Sequence, residues 1–203
     1  MLDVAFLFTI FLVTLGPIKV IPGFYAMSKD MEPAEMRSLA FKGTLIATAI
    51  SLVIALVMPV IQGGWRINID DLRIAGGILL FASAYAILAK DPPEQAPDKK
   101  PARPALSPLA IPIVITPWGA VAILMAMGLA GDNSELVTTV ITVLLGIMAL
   151  NLVGMLFARS IIGLVGIVSF KLLGWVFAIL QASLAVHAIL RGLQNLGVMQ
   201  VPA

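Results

Sequence analysis

Cysteine is absent from the 203 residues, which removes disulfide frameworks, thiol redox chemistry and cysteine-ligated metals at once. Histidine occurs once, at His187, so there is no imidazole cluster to hold a metal. Charge is scarce too: Asp, Glu, Lys and Arg make up 12% of the chain, far less than a soluble domain of this length needs to cover its surface. Neither G-x-x-x-x-G-K-[ST] nor H-E-x-x-H occurs, so ATP hydrolysis and zinc proteolysis lack their usual residues. With one His, no Cys and no H-E-x-x-H, the chain shows neither a nucleophile–base pair nor a metal triad by motif, and an enzyme is not expected.

What is present is apolar. Hydrophobic residues reach 60% and the mean hydropathy is +1.05. They fall in long blocks instead of amphipathic stripes, the pattern of membrane spans. The net charge of +2 does not imply nucleic acid, because the positive residues sit in short loops between apolar runs. The expected spans are approximately Leu2–Tyr25, Leu39–Ile61, Leu72–Ala89, Leu106–Leu129, Leu136–Phe157 and Phe170–Leu190. Each is long enough for a hydrocarbon core about 30 Å thick at about 1.5 Å per residue. Met1–Val4 carries no Lys or Arg, and Gly16-Pro17 stands where a small-residue cleavage site would be. The first run therefore reads as a retained span, not a signal peptide.

Between Lys90 and Ala105 the chain reads D-P-P-E-Q-A-P-D-K-K-P-A-R-P, too rich in proline for a helix and suited to a flexible linker. The expected organisation is a first three-span repeat over 1–90, a cytoplasmic linker over 91–105 and a second three-span repeat over 106–203. Orientation follows from the basic residues. Lys29, Arg37, Lys42, Lys90, Lys99, Lys100, Arg103, Arg159 and Lys171 collect on one side, against Arg66, Arg73 and Arg191 on the other. The first side is read as cytoplasmic and both termini as periplasmic or extracellular, in a bacterial or archaeal inner membrane.

Three spans per half make any duplication an inverted one. L-G-P-I-K-V at Leu15–Val20 answers I-T-P-W-G-A at Ile115–Ala120, placing a proline deep in the first span of each half. R-I-A-G-G-I-L-L at Arg73–Leu80 answers K-L-L-G-W-V-F-A at Lys171–Ala178. The predicted fold is an all-α integral membrane protein of two inverted three-helix repeats with a proline-broken first helix in each, a recurrent transporter plan.

Proline inside a helix removes a donor and clashes with the preceding turn, and the freed carbonyls need partners inside a bilayer. Gly16–Gly23 holds two prolines and two glycines, hard to reconcile with a continuous helix, and Pro112 and Pro117 interrupt the fourth span. Thr116-Pro117 reads as an N-cap with proline at the first helical position, and Gly16-Pro17 as a weaker version. Two helix N-termini facing each other near the midplane would attract an anionic group such as a carboxylate. The alternative is that Pro17 and Pro117 only kink helices for packing.

Lys19 is the one charge well inside a span. It either serves the site, pairing with an anionic solute or replacing a coupling cation, or snorkels to the cytoplasmic interface. Asn151, His187, Gln181, Ser83 and Thr48 are polar within spans. Interhelical hydrogen bonding is the expected role of Asn151 and His187, with a place on a solute path as the alternative. Gly76-Gly77, Gly146, Gly154 and Gly174 are expected to permit close helix packing. Trp65 suits an interfacial anchor, whereas Trp118 stands beside the second break, where it would wall a site. The candidate substrate-binding set is Thr14, Gly16, Pro17 and Lys19 from the first break, Thr116, Pro117, Trp118 and Gly119 from the second, and Asn151.

G-P-I-x-x-I-P near the N-terminus, R-I-A-G-G-I-L-L-F opening the third span and S-P-L-A-I-P-I-V-I-T-P in the fourth resemble the MarC family of six-span inner-membrane proteins. That family is grouped with small neutral amino acid transporters and is related more distantly to the lysine-exporter superfamily. The resemblance covers essentially the whole chain. It implies a secondary transporter of a small neutral amino acid such as glycine or alanine, coupled to a cation gradient (H+ or Na+), with its site at the two broken helices and no other cofactor. The partners implied are the lipid bilayer and a small-molecule solute, not nucleic acid, with a homo-oligomer left open. A membrane channel or a structural membrane partner is the alternative. The chain departs from the family pattern at Gly16, where Asn or Asp is usual, at Lys19, where Gly is usual, and at Thr116-Pro117-Trp118, where the pattern is G-P-G.

Overall fold

The computed structural model describes residues 4–65, 67–89 and 114–198. The linker, Pro112, the P-L-A-I-P segment and the Trp65 side chain lie outside the described residues. Helices and turns account for all that is described, with no strand among those residues. In chain order the helices are α1 (Val4–Leu15), α2 (Pro17–Ser28), α3 (Pro33–Trp65), α4 (Ile69–Ala89), α5 (Pro117–Ala130), α6 (Ser134–Leu156), α7 (Ala158–Val165) and α8 (Ile167–Asn195).

Among the described residues, five runs are long and apolar enough to cross a membrane: Val4–Ser28, Pro33–Ile61, Ile69–Ala89, Ser134–Leu156 and Ile167–Asn195. Of the expected fourth span, the described residues include the second portion, as α5. With 14 residues, α5 covers about 21 Å of a core about 30 Å thick; positions 106–113 lie outside the described residues. Large apolar side chains point outward along three helices, among them Leu45 and Val60 of α3, Ile78 and Tyr85 of α4, and Val168 and Ile179 of α8. In water such a surface would be untenable; against lipid it is the required one.

The interior belongs to the broken first span. Half of the Val4–Ser28 span is buried, against 17% of Ile167–Asn195, so α1 and α2 run through the bundle while α8 lies on its outside. Leu7, Phe11 and Leu15 of α1 and Phe24 of α2 are fully buried, together with Leu144, Ile147, Met148 and Met155 of α6. The break is narrower than the two prolines and two glycines suggested. Gly16 alone leaves the helix, at φ −73° and ψ 170°, and Pro17 starts α2 at its first position. Pro22 and Gly23 lie within continuous α2, because one proline removes a single backbone bond and its neighbours can bridge the gap.

α4 and α8 run antiparallel along each other, and small residues set their separation. A Cβ on Gly77 would meet Ile189 Cγ1 at 2.6 Å and the Ala185 carbonyl at 2.8 Å. On Gly192 it would meet Ile74 Cγ1 at 2.7 Å and the Asp70 carbonyl at 2.9 Å. Gly76 performs the same service toward α5, against Met125 and Val121, and Gly154 of α6 toward Pro17 and Ile21 of α2. The expectation fails at Gly146 and Gly174, where an added Cβ would meet nothing within 4 Å; both border open space. Gly174 thus shares a sequence position with the Gly76-Gly77 pair but not its packing job.

Between the fifth and sixth spans lies a short helix the sequence did not announce, α7. Ala158 and Ile162 are buried while Leu164 is exposed, and Gly166 at φ 78° turns the chain into α8. Arg159, expected only as a topogenic charge, also reaches across to α2: Nη2 donates to the carbonyls of Ser28 and Met31, each at 2.5 Å. A cation at the C-terminal end of a helix opposes the negative end of its dipole.

The α4–α8 seam yields a contrast in stability. Gly77→Val is expected to lower unfolding stability in detergent by about 1–3 kcal/mol through overpacking. Gly174→Ala is expected to be neutral or to stabilise by up to about 1 kcal/mol through helix propensity. Thermal unfolding of the two purified variants beside the parent checks both.

Candidate functional site

A helix broken within an apolar medium exposes carbonyls that its missing turn would have used. At the first break the Lys19 N–H donates to the Gly16 carbonyl at 3.2 Å, so the Leu15 carbonyl is released from its helical partner. Asn151 of α6, wholly buried, takes it up: Nδ2 donates to the Leu15 carbonyl at 2.7 Å. The interhelical role expected for Asn151 is therefore the one observed, and its target is the break itself. Asn151 Oδ1 stays buried without a hydrogen-bond partner among the described residues.

The second break meets the first. Thr116, extended at φ −81° and ψ 154°, caps α5 by accepting from the Gly119 N–H at 3.0 Å, with Pro117 at the start of the helix. The same hydroxyl lies 3.5 Å from the Thr14 carbonyl, the outer limit for a hydrogen bond. Thr14 offers this site only its carbonyl, since its own hydroxyl donates back to Ile10 at 2.7 Å. Gly119 packs on Leu15 so closely that a Cβ there would overlap the Leu15 side chain. Likewise a Cβ on Gly16 would strike the Leu12 carbonyl, which gives a local reason for glycine where the family pattern has Asn or Asp.

Lys19 sits one turn beyond the first break. Its stem does not snorkel: half-buried, it donates from Nζ to Gln181 Oε1 of α8 at 2.8 Å. Gln181 in turn donates from Nε2 to the Leu80 carbonyl at 2.9 Å and to the Ser83 hydroxyl of α4. Gln181 and Ser83 are buried, so α2, α4 and α8 are tied by one polar chain within the bundle. Trp118 belongs elsewhere. It packs against Leu80, Met125 and Ala185 in a small apolar cluster between α4, α5 and α8, not against Leu15.

A vestibule of about 500 Å³ lies at the end of the bundle where α1 begins and α8 ends. Leu7 and Ile10 of α1, Ala122 and Met125 of α5, and Leu184 of α8 are among the apolar residues that line it, and its polar lining consists of Arg73, His187, Arg191 and Asn195. None of the nine residues singled out from the sequence lines this cavity. They cluster instead at and beyond the paired breaks, one to two turns past Ile10 and Ala122. Among the described residues His187 has no hydrogen-bond partner; it faces the vestibule instead of joining helices. Leu184, His187, Ala188, Arg191 and Asn195 occupy one face of a helix, and that spacing was the available signal.

At the rim Arg73 Nη1 is paired with Asp70 Oδ1, and Asn195 Nδ2 donates to the same oxygen at 2.9 Å. Arg191 has no carboxylate partner among the described residues. Chemically, the arrangement offers a basic mouth, an apolar depth and a floor near two helix N-termini.

A family model described as MarC family integral membrane protein matches residues 3–197. A UPF0056 membrane protein of Methanocaldococcus jannaschii is 25% identical over 187 residues, covering 89% of this chain and 91% of its own. One from Archaeoglobus fulgidus is 26% identical over 194 residues, covering 92% and 90%. The UPF0056 membrane protein YvbG of Bacillus subtilis is 31% identical over 120 residues, covering 55% and 56%. No solved structure matches the chain.

Asn151→Ala is expected to lower unfolding stability by about 1–3 kcal/mol, because it strands the Leu15 carbonyl in an apolar interior. Asn151→Gln, which keeps an amide but not its reach, is expected to fall between the parent and Asn151→Ala. Thermal unfolding of both variants measures the ordering.

Proposed function

The chain belongs to the MarC family of integral membrane proteins, and from that premise we propose that it is a secondary transporter. It carries a small solute across the cell membrane by alternating access, and the family resemblance favours a neutral amino acid. The observation that carries this reading is the vestibule of about 500 Å³ that stops short of two touching helix breaks. A cavity open at one end and closed at a packed interruption suits a carrier better than a channel, which needs a continuous path.

The two breaks support the inverted repeat. Each has an extended residue, Gly16 or Thr116, followed by proline at the first position of a new helix, and the two meet through Leu15 and Gly119. The antiparallel pairing of α4 with α8, the third span of each half, fits the same symmetry. The bias of Lys and Arg in the sequence supports reading the vestibule side as exterior, and in that reading the conformation described is outward-facing. Solute would enter past Arg191, reach the N-termini of α2 and α5, and leave once the Lys19–Gln181 link and the Leu15–Gly119 contact separate. A cation gradient, H+ or Na+, supplies the driving force in this reading.

Uptake into liposomes tests it. The parent protein is expected to show saturable, stereoselective uptake of a neutral amino acid, and the same solute to raise the unfolding temperature, by about 2.7 kcal/mol of stability at one hundred times Kd. Pro17→Ala and Pro117→Ala are expected to cut uptake severely, while Pro59→Ala, on the lipid-facing side of α3, leaves it intact. Equal tolerance at all three positions would contradict a mechanism built on the breaks.

A further inference from the structure

We propose that the vestibule is a binding site for a monocarboxylate with an apolar body, a hydrophobic amino acid zwitterion included, and that Arg191 anchors the carboxylate. The inference rests on the transporter reading for its biological purpose but on the cavity alone for its chemistry.

Charge accounting at the rim points to a single anion. The carboxylate of Asp70 offsets Arg73, and the Asn195 amide donates to that same carboxylate. Arg191 is left as the one cation lining the cavity with no counter-charge among the described residues. A guanidinium presents a planar fork that matches a carboxylate through two parallel hydrogen bonds. Low-dielectric walls concentrate its field on whatever enters. One uncompensated cation balances one negative charge, which favours a monoanionic group over a phosphate dianion or a dicarboxylate.

The depth beyond the rim calls for an apolar body. Leu7, Ile10, Ala122, Met125 and Leu184 line it, and a methionine thioether adapts to irregular shapes. About 500 Å³ falls within the range of pockets that enclose drug-sized ligands, about 300–1,000 Å³, and is far more room than glycine fills. A bare glycine would fill only a small part of that space, while a branched aliphatic tail would bring apolar atoms against its walls. The basic mouth also disfavours amines and cationic amino acids by like-charge repulsion.

The test uses the full chain in phosphatidylcholine nanodiscs and measures binding of leucine, isocaproate, leucinamide and glycine by calorimetry. Isocaproate keeps the skeleton and carboxylate of leucine without its amine, and leucinamide removes the carboxylate. Leucine and isocaproate are expected to bind, with leucinamide and glycine weaker by about tenfold or more. Arg191→Gln is expected to weaken leucine and isocaproate by about tenfold and not to weaken leucinamide. Ala126→Trp, which fills the cavity, is expected to abolish binding of both acids. Equal binding of leucine and leucinamide, or acid affinities indifferent to Arg191→Gln, would overturn the proposal. So would an anionic lipid that co-purifies with the parent, is lost in Arg191→Gln and blocks isocaproate, since a lipid headgroup would then be the occupant. Uptake of a neutral amino acid that survives loss of this binding would sink the inference and leave the transporter reading standing; binding without uptake would do the reverse.

Discussion

A carbonyl oxygen without a partner costs several kcal/mol inside a bilayer, and the Leu15 carbonyl is such a group until Asn151 reaches it across the bundle. Most of the interior follows from that requirement. The break at Gly16 is tolerated because α6 presents an amide at its level, and because Gly154, one turn further on, admits Pro17 and Ile21 to contact. It is stabilised further because a second break lies against it, with Gly119 receiving the Leu15 side chain and Thr116 facing the Thr14 carbonyl. An interrupted helix on the lipid-facing side would have none of these partners, which is why the broken span is the buried one.

The same constraint divides the molecule into parts of different stiffness. α4 and α8 are held by glycines set against backbone carbonyls and by Gln181 bridging to Leu80, a closely packed seam. The breaks are held by few, directional contacts: one amide, one capped threonine and one lysine link to Gln181. Contacts of that kind have discrete alternatives and exchange at modest cost, whereas a packed seam does not. A transporter needs both, a rigid frame and an interior element with two arrangements. The vestibule lies where the two meet, with α1 and α5 on one side and α4 and α8 on the other.

Local features were legible in the sequence, and long-range ones were not. Apolar blocks gave the spans, and Thr116-Pro117 gave an N-cap whose bond to Gly119 is present, because capping and proline sterics act within a few residues. The pairing of the breaks was legible as a repeated proline. The partner of each polar side chain was not: Asn151 and Leu15 stand 136 positions apart, and Lys19 and Gln181 stand 162 apart. Lys19 kept two readings open for that reason. α7 was missed because Arg159 and Ser160 interrupt the apolar run and mimic a loop. The vestibule was missed because Arg73 and Arg191 were weighed as topogenic charges, although the face of α8 they accompany repeats every three to four residues. Gly174 shows the opposite error, a sequence match to Gly76-Gly77 without a packing partner.

The absence of cysteine makes one experiment free of background. Ala188, half-buried on the vestibule wall, can be replaced by Cys and exposed in intact cells to a membrane-impermeant maleimide. An outward-facing carrier predicts that Ala188→Cys reacts from outside and that the transported solute slows the reaction, by occupying the vestibule or by shifting the protein to its inward-facing arrangement. Reaction only from the cytoplasmic side, or an external rate that no solute alters, would contradict the account.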